Sequence, residues 1–306
     1  MRLAPARGQK SGASFVDPAV LARIDNLELL ARTVVDGFIN GLHRSPYLGL
    51  SIDFAEHRPY MPGDDIRRID WRLWGRTDRY YVKEFEADTN TNFVCLLDTS
   101  ASMGYGSHAV SKLEYGKFLA ASLTYFSHGQ RDRVGMVTFD DQIRAYVPPS
   151  AKHLDVILHT VDRARAGNKG ALEAPLVKTA EALGRRGIVV LISDLYEPPD
   201  DVIHAVRHLR SKGNDVIVFH VLDPWELDFP FEDAGNFQDV ETGQIVPVVP
   251  ATQRVRYREL VRGHSAELAE RFTKERVDYA LLDTSKPLDV ALFQYLSTRE
   301  RLSRVR

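Results

Sequence analysis

The sequence predicts an α/β protein whose mostly parallel sheet is covered by helices on both faces. From residue 91 onward, apolar stretches of strand length alternate with stretches of helical periodicity, as in successive βα units. The strand-like stretches 93–97 (FVCLL) and 187–193 (GIVVLIS) are apolar at consecutive positions rather than at every second residue, apart from the final Ser193. Strands that are buried on both faces have this pattern, which is typical of a parallel sheet between two helical layers.

The individual elements follow from the same reading of periodicity and turn residues. A hairpin is predicted over 236–249, with its turn at Thr242 and Gly243. The predicted helices are 112–127, 152–163, 173–183, 201–211, 251–276 and 288–302, and the predicted strands are 93–97, 133–139, 143–147, 187–193, 215–222 and 278–282.

The first 90 residues have a different character. A helix is predicted from Asp17, which can cap it, to about Gly41. Residues 43–90 are rich in Arg, Asp, Pro and aromatic residues and favour short extended segments, with a strand near 80–85. We therefore divide the chain into a flexible tail (1–14), an N-terminal subdomain (15–90) and an α/β domain (91–306) with a hairpin insertion near 225–250.

Composition excludes several classes of function. The 306 residues include 40 Lys and Arg against 42 Asp and Glu, and this balance provides no long-range field for nucleic acid or acidic membranes. The N-terminus has no apolar segment of the secretory type, and no run approaches the ~18 apolar residues of a membrane span. Nucleotide-binding glycine motifs and a Gly-x-Ser-x-Gly nucleophile motif are absent from the sequence. We expect a cytoplasmic protein that is not an enzyme.

The residues with the clearest chemistry lie where strands are predicted to end. Asp98 and Asp194 each follow a buried strand, and Ser100 and Ser102 alternate along the loop after Asp98. Ligands of doubly wound sheets bind beyond the carboxyl ends of the strands, and oxygen ligands suit Mg²⁺. The sequence therefore predicts a Mg²⁺ site with a coordination position left open for an acidic residue of a partner. Acids that follow other strands are interpreted as turn or cap residues: Asp140, Asp223 and Asp283.

The stretch Asp98-Thr99-Ser100-Ala101-Ser102 resembles the Asp-x-Ser-x-Ser motif of von Willebrand factor A domains, which contains their metal-ion-dependent adhesion site. The preceding segment adds the motifs 62–65 (PGDD), 67–71 (RRIDW) and 82–85 (VKEF). Together they resemble the bacterial domain-of-unknown-function 58 family, from about residue 41 to residue 302. The resemblance implies a von Willebrand factor A-like fold. It also implies Ser100 and Ser102 as direct metal ligands, and Asp98 and Asp194 as acids that bind directly or through water.

The same resemblance implies partners. Proteins of this family are commonly encoded beside MoxR-type AAA+ ATPases, and such pairs are associated with chaperone-like maturation or metal insertion. A protein-binding role toward such an ATPase or a client protein is therefore expected.

One ligand of the family pattern is missing. The family site takes a Thr from a loop between two helices, but here that loop, residues 166–171 (AGNKGA), has neither Ser nor Thr. Three alternatives remain open: Asn168 offers an oxygen, water fills the position, or Lys169 places a positive charge there.

A second group of polar residues permits another reading. Asp64, Asp65, Arg67, Asp70 and Trp71 lie close together in the sequence, and the acids within 64–84 invite the hypothesis of a metal-dependent hydrolase. Because Asp and Arg alternate, a structural ion-pair network or a docking surface is the favoured interpretation. A third hypothesis is a structural adaptor that keeps the fold, has no working metal site and uses the N-terminal subdomain as its contact surface.

Overall fold

A six-stranded sheet lies at the centre of the computed structural model, which describes residues 17–44, 57–59, 80–83, 91–184 and 186–303. The strands of this sheet are β3 (Asn92–Asp98), β4 (Arg133–Phe139), β5 (Ile143–Ser150), β6 (Gly187–Ser193), β7 (Asp215–Leu222) and β10 (Asp278–Asp283). Their order across the sheet is β10-β7-β6-β3-β4-β5. All neighbouring strands are parallel except β5, which runs antiparallel to β4 at one edge.

Two smaller sheets lie outside this one. Strands β1 (His57–Pro59) and β2 (Tyr81–Lys83) pair antiparallel, in agreement with the strand predicted near residue 80. Strands β8 (Gly235–Gln238) and β9 (Ile245–Val248) form the predicted hairpin, which pairs only with itself among the described strands. We call residues 235–248 the hairpin.

Nine helices connect the strands in the described part of the chain. They are α1 (Pro18–Leu21), α2 (Leu27–Arg44), α3 (Lys112–Gly129), α4 (Leu154–Arg163), α5 (Glu173–Ala182), α6 (Pro199–Ser211), α7 (Pro224–Asp228), α8 (Pro250–Lys274) and α9 (Asp289–Ser303). A 3-10 turn at Ser102–Gly104 follows the first central strand.

The helices form one layer on each face of the sheet. On β3, Phe93, Cys95 and Leu97 face a core built with α2, α3, α4 and α9, whereas Val94 and Leu96 face a second core built with α5, α6 and α8. Alternate residues of a strand point to opposite faces, so every position of a central strand is buried. The prediction of an α/β fold with a mostly parallel sheet and helices on both faces is confirmed.

Most element predictions are confirmed within one to three residues at their ends, but the first helix is wrong in one respect. The chain from Asp17 forms two helices rather than one, because Asn26 begins a new helix: its Oδ1 accepts a hydrogen bond from the Leu29 amide at 2.9 Å. Helix α2 then continues past Gly41 to Arg44. Cys95 is a buried hydrophobe, as predicted, and burial raises the pKa of its thiol. Among the described residues, no helix has the length and apolar character needed to cross a bilayer.

The close approach of β6 to β3 yields a stability prediction. A Cβ on Gly187 would lie 2.1 Å from the carbonyl oxygen of Asn92 in the neighbouring strand, so Gly187→Ala must displace backbone. We expect this variant to lose at least about 3 kcal/mol of unfolding free energy. The control Gly129→Ala has open space at the Cβ position and should change stability by less than about 1 kcal/mol. Urea unfolding followed by circular dichroism measures both, and equal stabilities would contradict the strand packing described.

Candidate metal-binding site at the carboxyl edge of the sheet

The predicted site residues lie at the point where the strand order reverses. The chain leaves β3 toward β4 on one side, and β6 lies on the other side, so the carboxyl ends of β3 and β6 flank a crevice. Such switch points are where open α/β sheets bind ligands. The four predicted ligands Asp98, Ser100, Ser102 and Asp194 all line one cleft of about 820 Å³ at this edge. The structure therefore brings together all four residues predicted for the site.

The loop after β3 directs its oxygens toward one another. The Ser100 amide donates to Asp98 Oδ1 at 2.8 Å, and the hydroxyls of Ser100 and Ser102 are 3.1 Å apart. On the other side, the Ser193 hydroxyl at the end of β6 donates to Asp98 Oδ2 at 2.6 Å. These side chains are nearly inaccessible to solvent, which fixes their orientation. The arrangement is a rigid cluster of one carboxylate and three hydroxyls.

Main-chain bonds hold this loop in place from two neighbours. The Thr99 amide donates to the Phe139 carbonyl at the end of β4 at 2.7 Å. The Ala101 amide donates to the Asn168 carbonyl at 2.8 Å, and the Gly167 amide donates to the Thr99 carbonyl at 2.8 Å. The loop 166–171 is thereby attached to the predicted ligand loop.

Burial changes the acidity of Asp98. Loss of solvent and the neighbouring Asp194 carboxylate raise its pKa to about 7, although hydrogen bonds from Ser193 and Ser100 oppose the rise. A carboxylate that is costly to ionise without a counter-charge gains strongly from a cation placed beside it.

Lys112, which the sequence analysis did not select, supplies a positive charge to the site. Its Nζ, with the side chain 0% exposed, donates to Asp194 Oδ2 at 2.7 Å and to Glu226 Oε1 at 2.8 Å. Burial alone would lower the pKa of Lys112, but the two carboxylates outweigh burial and raise it. The Tyr196 ring centroid lies 4.6 Å from the same Nζ.

Two features of the sequence indicate Lys112 and Ser193, neither of which was predicted as a site residue. Lys112 is the first residue of α3, where the positive end of the helix dipole disfavours a lysine unless acids lie nearby. Ser193 precedes Asp194 directly and therefore belongs to the same strand end.

The donor set fits a small, hard divalent cation. Adjacent oxygens around Mg²⁺, at bond lengths of 2.0–2.1 Å, are about 2.9 Å apart, close to the Ser100–Ser102 separation of 3.1 Å. In the described part of the chain, no three His, Cys, Asp or Glu side chains form a cluster of metal-ligating type. The candidate site depends instead on two hydroxyls with flanking acids, so Ser100, Ser102 and Asp98 are the residues that would hold the ion.

The loop that lacks a Thr approaches the hydroxyl pair with a glycine. Asn168 uses its main-chain carbonyl to bind the ligand loop, and its side chain is exposed. Gly170 is nearer to the site: a Cβ placed there would lie 3.0 Å from Ser100 Cβ and 3.4 Å from Ser100 Oγ. Lys169 lines the cleft. The position that faces the Ser100 hydroxyl is therefore occupied by a residue without a side chain.

The other acids at strand ends have local structural roles. Asp140 accepts from the Gln142 amide at 3.1 Å and pairs with Arg144. Asp223 caps α7 through the Trp225 amide and also accepts from Ser107, and Asp283 accepts from the Ser285 amide at 2.8 Å. The interpretation of these three acids as turn or cap residues is confirmed.

The structure does not describe the residues on which the hydrolase hypothesis depends. Asp64, Asp65, Arg67, Asp70 and Trp71 lie outside the described residues, and so does Glu84. That hypothesis therefore stays a prediction.

Comparison with known proteins finds a family model and several relatives that match this chain. The family model described as "Protein of unknown function DUF58" matches residues 56–267, which is more than half of the chain. The proteins Rv1480 of Mycobacterium tuberculosis and Mb1516 of Mycobacterium bovis are each 31% identical over 238 residues, covering 75% of this chain and 73% of theirs.

Solved structures with some similarity include two from Bacteroides. An aerotolerance-related membrane protein from Bacteroides fragilis is 20% identical, with a TM-score of 0.49 over 68% of this chain and 98% of that one. The conserved hypothetical protein BatB from Bacteroides thetaiotaomicron is 18% identical, with a TM-score of 0.47 over 69% of this chain and 96% of that one.

The buried ion pair of Lys112 leads to a prediction on stability. Lys112→Met leaves Asp194 and Glu226 buried without their cation, and we expect a loss of about 3–5 kcal/mol of unfolding free energy. The matched control is Lys274→Met, which removes a solvent-exposed ion pair with Glu270 and should cost less than about 1 kcal/mol. Chemical denaturation at neutral pH measures both, and similar losses would show that the Lys112 pairing contributes no more than a surface ion pair.

A second prediction concerns the ionisation of Asp98. Its pKa is raised in the folded protein, so the folded state holds its proton to higher pH than the unfolded chain. Metal-free protein should therefore lose stability as pH rises from 4 to 8. Asp98→Asn should escape this loss and be on the order of 2 kcal/mol more stable at pH 8 in EDTA, with the difference shrinking toward pH 4. Urea titrations across this range test it, with the exposed Asp141→Asn as control. A pH-independent difference would contradict it.

Proposed function

Because this chain belongs to the DUF58 family of proteins of unknown function, we propose that it is a non-enzymatic binding module that captures an acidic residue of another protein through a divalent cation. Its von Willebrand factor A-like fold fits a protein-interaction module. The proposed contact surface is the carboxyl edge of the sheet, where Asp98, Ser100, Ser102 and Asp194 line one cleft.

The observation that supports this function is the paired hydroxyls beside a buried carboxylate. Ser100 and Ser102 lie 3.1 Å apart, and Asp98 is held by the Ser100 amide and the Ser193 hydroxyl. These residues would bind Mg²⁺, with Asp194 holding one of its waters. A bound Mg²⁺ supplies a Lewis-acidic centre with coordination positions left for an oxygen of the partner. The protein residues do no bond chemistry in this scheme; they orient the ion toward the cleft.

The proposed partner is a MoxR-type AAA+ ATPase or a client protein that such an ATPase remodels in the cytoplasm. This proposal rests on the family resemblance. The sequence contains no Walker A motif, so ATP hydrolysis in such a complex would be carried out by the partner.

A second candidate, a metal-free adaptor, is favoured by one specific observation. Lys112 already places an ammonium group between Asp194 and Glu226, and this charge neutralises part of the acidic cluster without a metal. In this version the cleft, rather than the N-terminal subdomain, binds the partner through the fixed shape of its loops. The two candidates differ in whether binding requires a cation.

The first experiment is a Mg²⁺ titration by isothermal calorimetry. Wild-type protein should bind one Mg²⁺, and the double variant Asp98→Ala, Ser100→Ala should bind it at least ~100-fold more weakly, because the variant loses the carboxylate and one of two hydroxyls. The control variant Ser211→Ala removes an exposed hydroxyl at the end of α6 and should bind Mg²⁺ as wild type does.

A pull-down of the native partner separates the candidates. With the wild-type chain as bait, an AAA+ ATPase should be retained in Mg²⁺ and lost in EDTA, and the double variant should lose it in both. Retention that is equal with and without Mg²⁺ supports the metal-free adaptor. If the double variant retains the partner as wild type does, this edge of the sheet is not the binding surface.

A further inference from the structure

The hairpin brings an acidic side chain of the same chain to the candidate metal site. The hairpin lies between α7 and α8 in the chain. The residues of its turn, 239–242, line the same cleft at the carboxyl edge of the sheet as Asp98 and Ser100. At that turn the Gly170 amide donates to Oε1 of Glu241 at 3.3 Å. No motif of the sequence predicted this contact, because 71 residues separate the two partners.

The turn itself is built to present Glu241. Asp239 Oδ1 accepts from the Glu241 amide at 2.8 Å, and Asp239 Oδ2 accepts from the Thr242 hydroxyl at 2.6 Å. Gly243 completes the turn with φ of +73°, a backbone conformation that favours glycine. The side chains of Asp239 and Thr242 therefore fix the turn. The carboxylate of Glu241 takes no part in these bonds and can contact the cleft.

The burial pattern marks Glu241 as the contact residue of the tip. Its neighbours Val240 and Thr242 are exposed, whereas Glu241 is half-buried. The point in space that a Cβ on Gly170 would fill lies 3.4 Å from Glu241 Oε1 and 3.4 Å from Ser100 Oγ. The carboxylate of Glu241 and the hydroxyl of Ser100 thus flank the same small volume beside Gly170.

The charges around this contact favour a bound cation. Glu241 approaches a site that already contains Asp98 and Asp194, and its carboxylate adds to the rise that burial causes in the pKa of Glu197. Bringing a further carboxylate to an acidic cleft costs free energy unless a positive charge lies between the acids. Hydrogen bonds from Thr242 and the Glu241 amide lower the pKa of Asp239, and the nearby Lys169 lowers it a little further. The paired hydroxyls of Ser100 and Ser102 favour a metal ion as the main positive charge at the site.

The hairpin is suited to leave this position. Among the described strands, β8 and β9 pair only with each other, and isolated two-stranded hairpins are marginally stable and open at low free-energy cost. Strand β8 is held by ring contacts of Phe237 with Phe229 and Phe231, at centroid distances of 5.6 and 4.8 Å, and the turn beyond it makes no such ring contact in the described part of the chain.

We propose that Glu241 is a built-in ligand of the cation at Ser100 and Ser102, and that the hairpin thereby occupies the coordination position a partner's acidic residue must take. This inference rests on the proposed cation-dependent function and adds its regulation: the site is self-occupied until the partner displaces the tip. The missing hydroxyl of the loop 166–171 is replaced by a carboxylate supplied from the hairpin.

The test uses the full chain with metal alone and with acetate as the smallest analogue of an acidic side chain. Glu241→Gln keeps the size and the hydrogen-bond acceptor but removes the charge, and it should weaken Mg²⁺ binding about tenfold or more in calorimetry. With Mn²⁺ in place of Mg²⁺, the paramagnetic broadening of the acetate methyl signal should be several-fold larger for Glu241→Gln than for wild type, because the position is open. The control Glu232→Gln removes an exposed carboxylate just outside the hairpin and should match wild type in both measurements.

The outcomes separate this inference from the proposed function. Wild type and Glu241→Gln with equal Mg²⁺ affinity, or with equal acetate broadening, would overturn the role of Glu241 and leave the cation site intact. A wild-type chain that binds no Mg²⁺ would remove the cation-dependent function itself. Weaker binding together with greater acetate access supports both.

Discussion

The candidate site depends on the buried ammonium group of Lys112. It lies at the start of α3 and joins two elements that are far apart in the sequence, through Asp194 after β6 and Glu226 in α7. A capping box between Ser111 and Glu114 fixes the first turn of α3, and this sets the position of Lys112. Helix α7, which holds Glu226, precedes the hairpin with only residues 229–234 between them. One buried charge therefore connects α3, the end of β6 and α7 at the edge of the sheet where the candidate site lies.

That charge does not balance the acids around it. Lys112 neutralises at most one of Asp98, Asp194 and Glu226, and the repulsion between Asp98 and Asp194 contributes to the raised pKa of Asp98. Buried carboxylates in excess are unfavourable for folding and favourable for cation binding, because a divalent ion removes the repulsion that the folded chain otherwise retains. The stability of the metal-free chain and its affinity for metal are thus two effects of one electrostatic imbalance.

The sequence was most informative where local pattern decides structure. Strands 133–139, 187–193 and 215–222 were predicted with their exact limits, because strands buried on both faces are mostly apolar at consecutive positions and each of these is followed by an aspartate. The Asp98–Ser102 loop was found for a similar reason, since its ligands are adjacent in sequence. Lys112 and Glu241 were missed because their roles exist only after β6, α7 and the hairpin have been brought to the same edge. The break between α1 and α2 was missed because Asn26 was not recognised as a cap.

The hairpin offers an explanation for the absence of a Thr from the loop 166–171. A loop that lost its hydroxyl would be expected to leave Ser100 facing solvent, yet Gly170 faces Ser100 directly and donates its amide to Glu241. A side chain at position 170 would compete for the volume between Ser100 and Glu241, so the glycine and the acid suit each other. A carboxylate binds Mg²⁺ more strongly than a hydroxyl and carries a charge that opposes Asp98 when the ion is absent. Exchange of a fixed hydroxyl for a movable carboxylate would therefore make closure of the hairpin depend on the cation, which a Thr in the loop could not do.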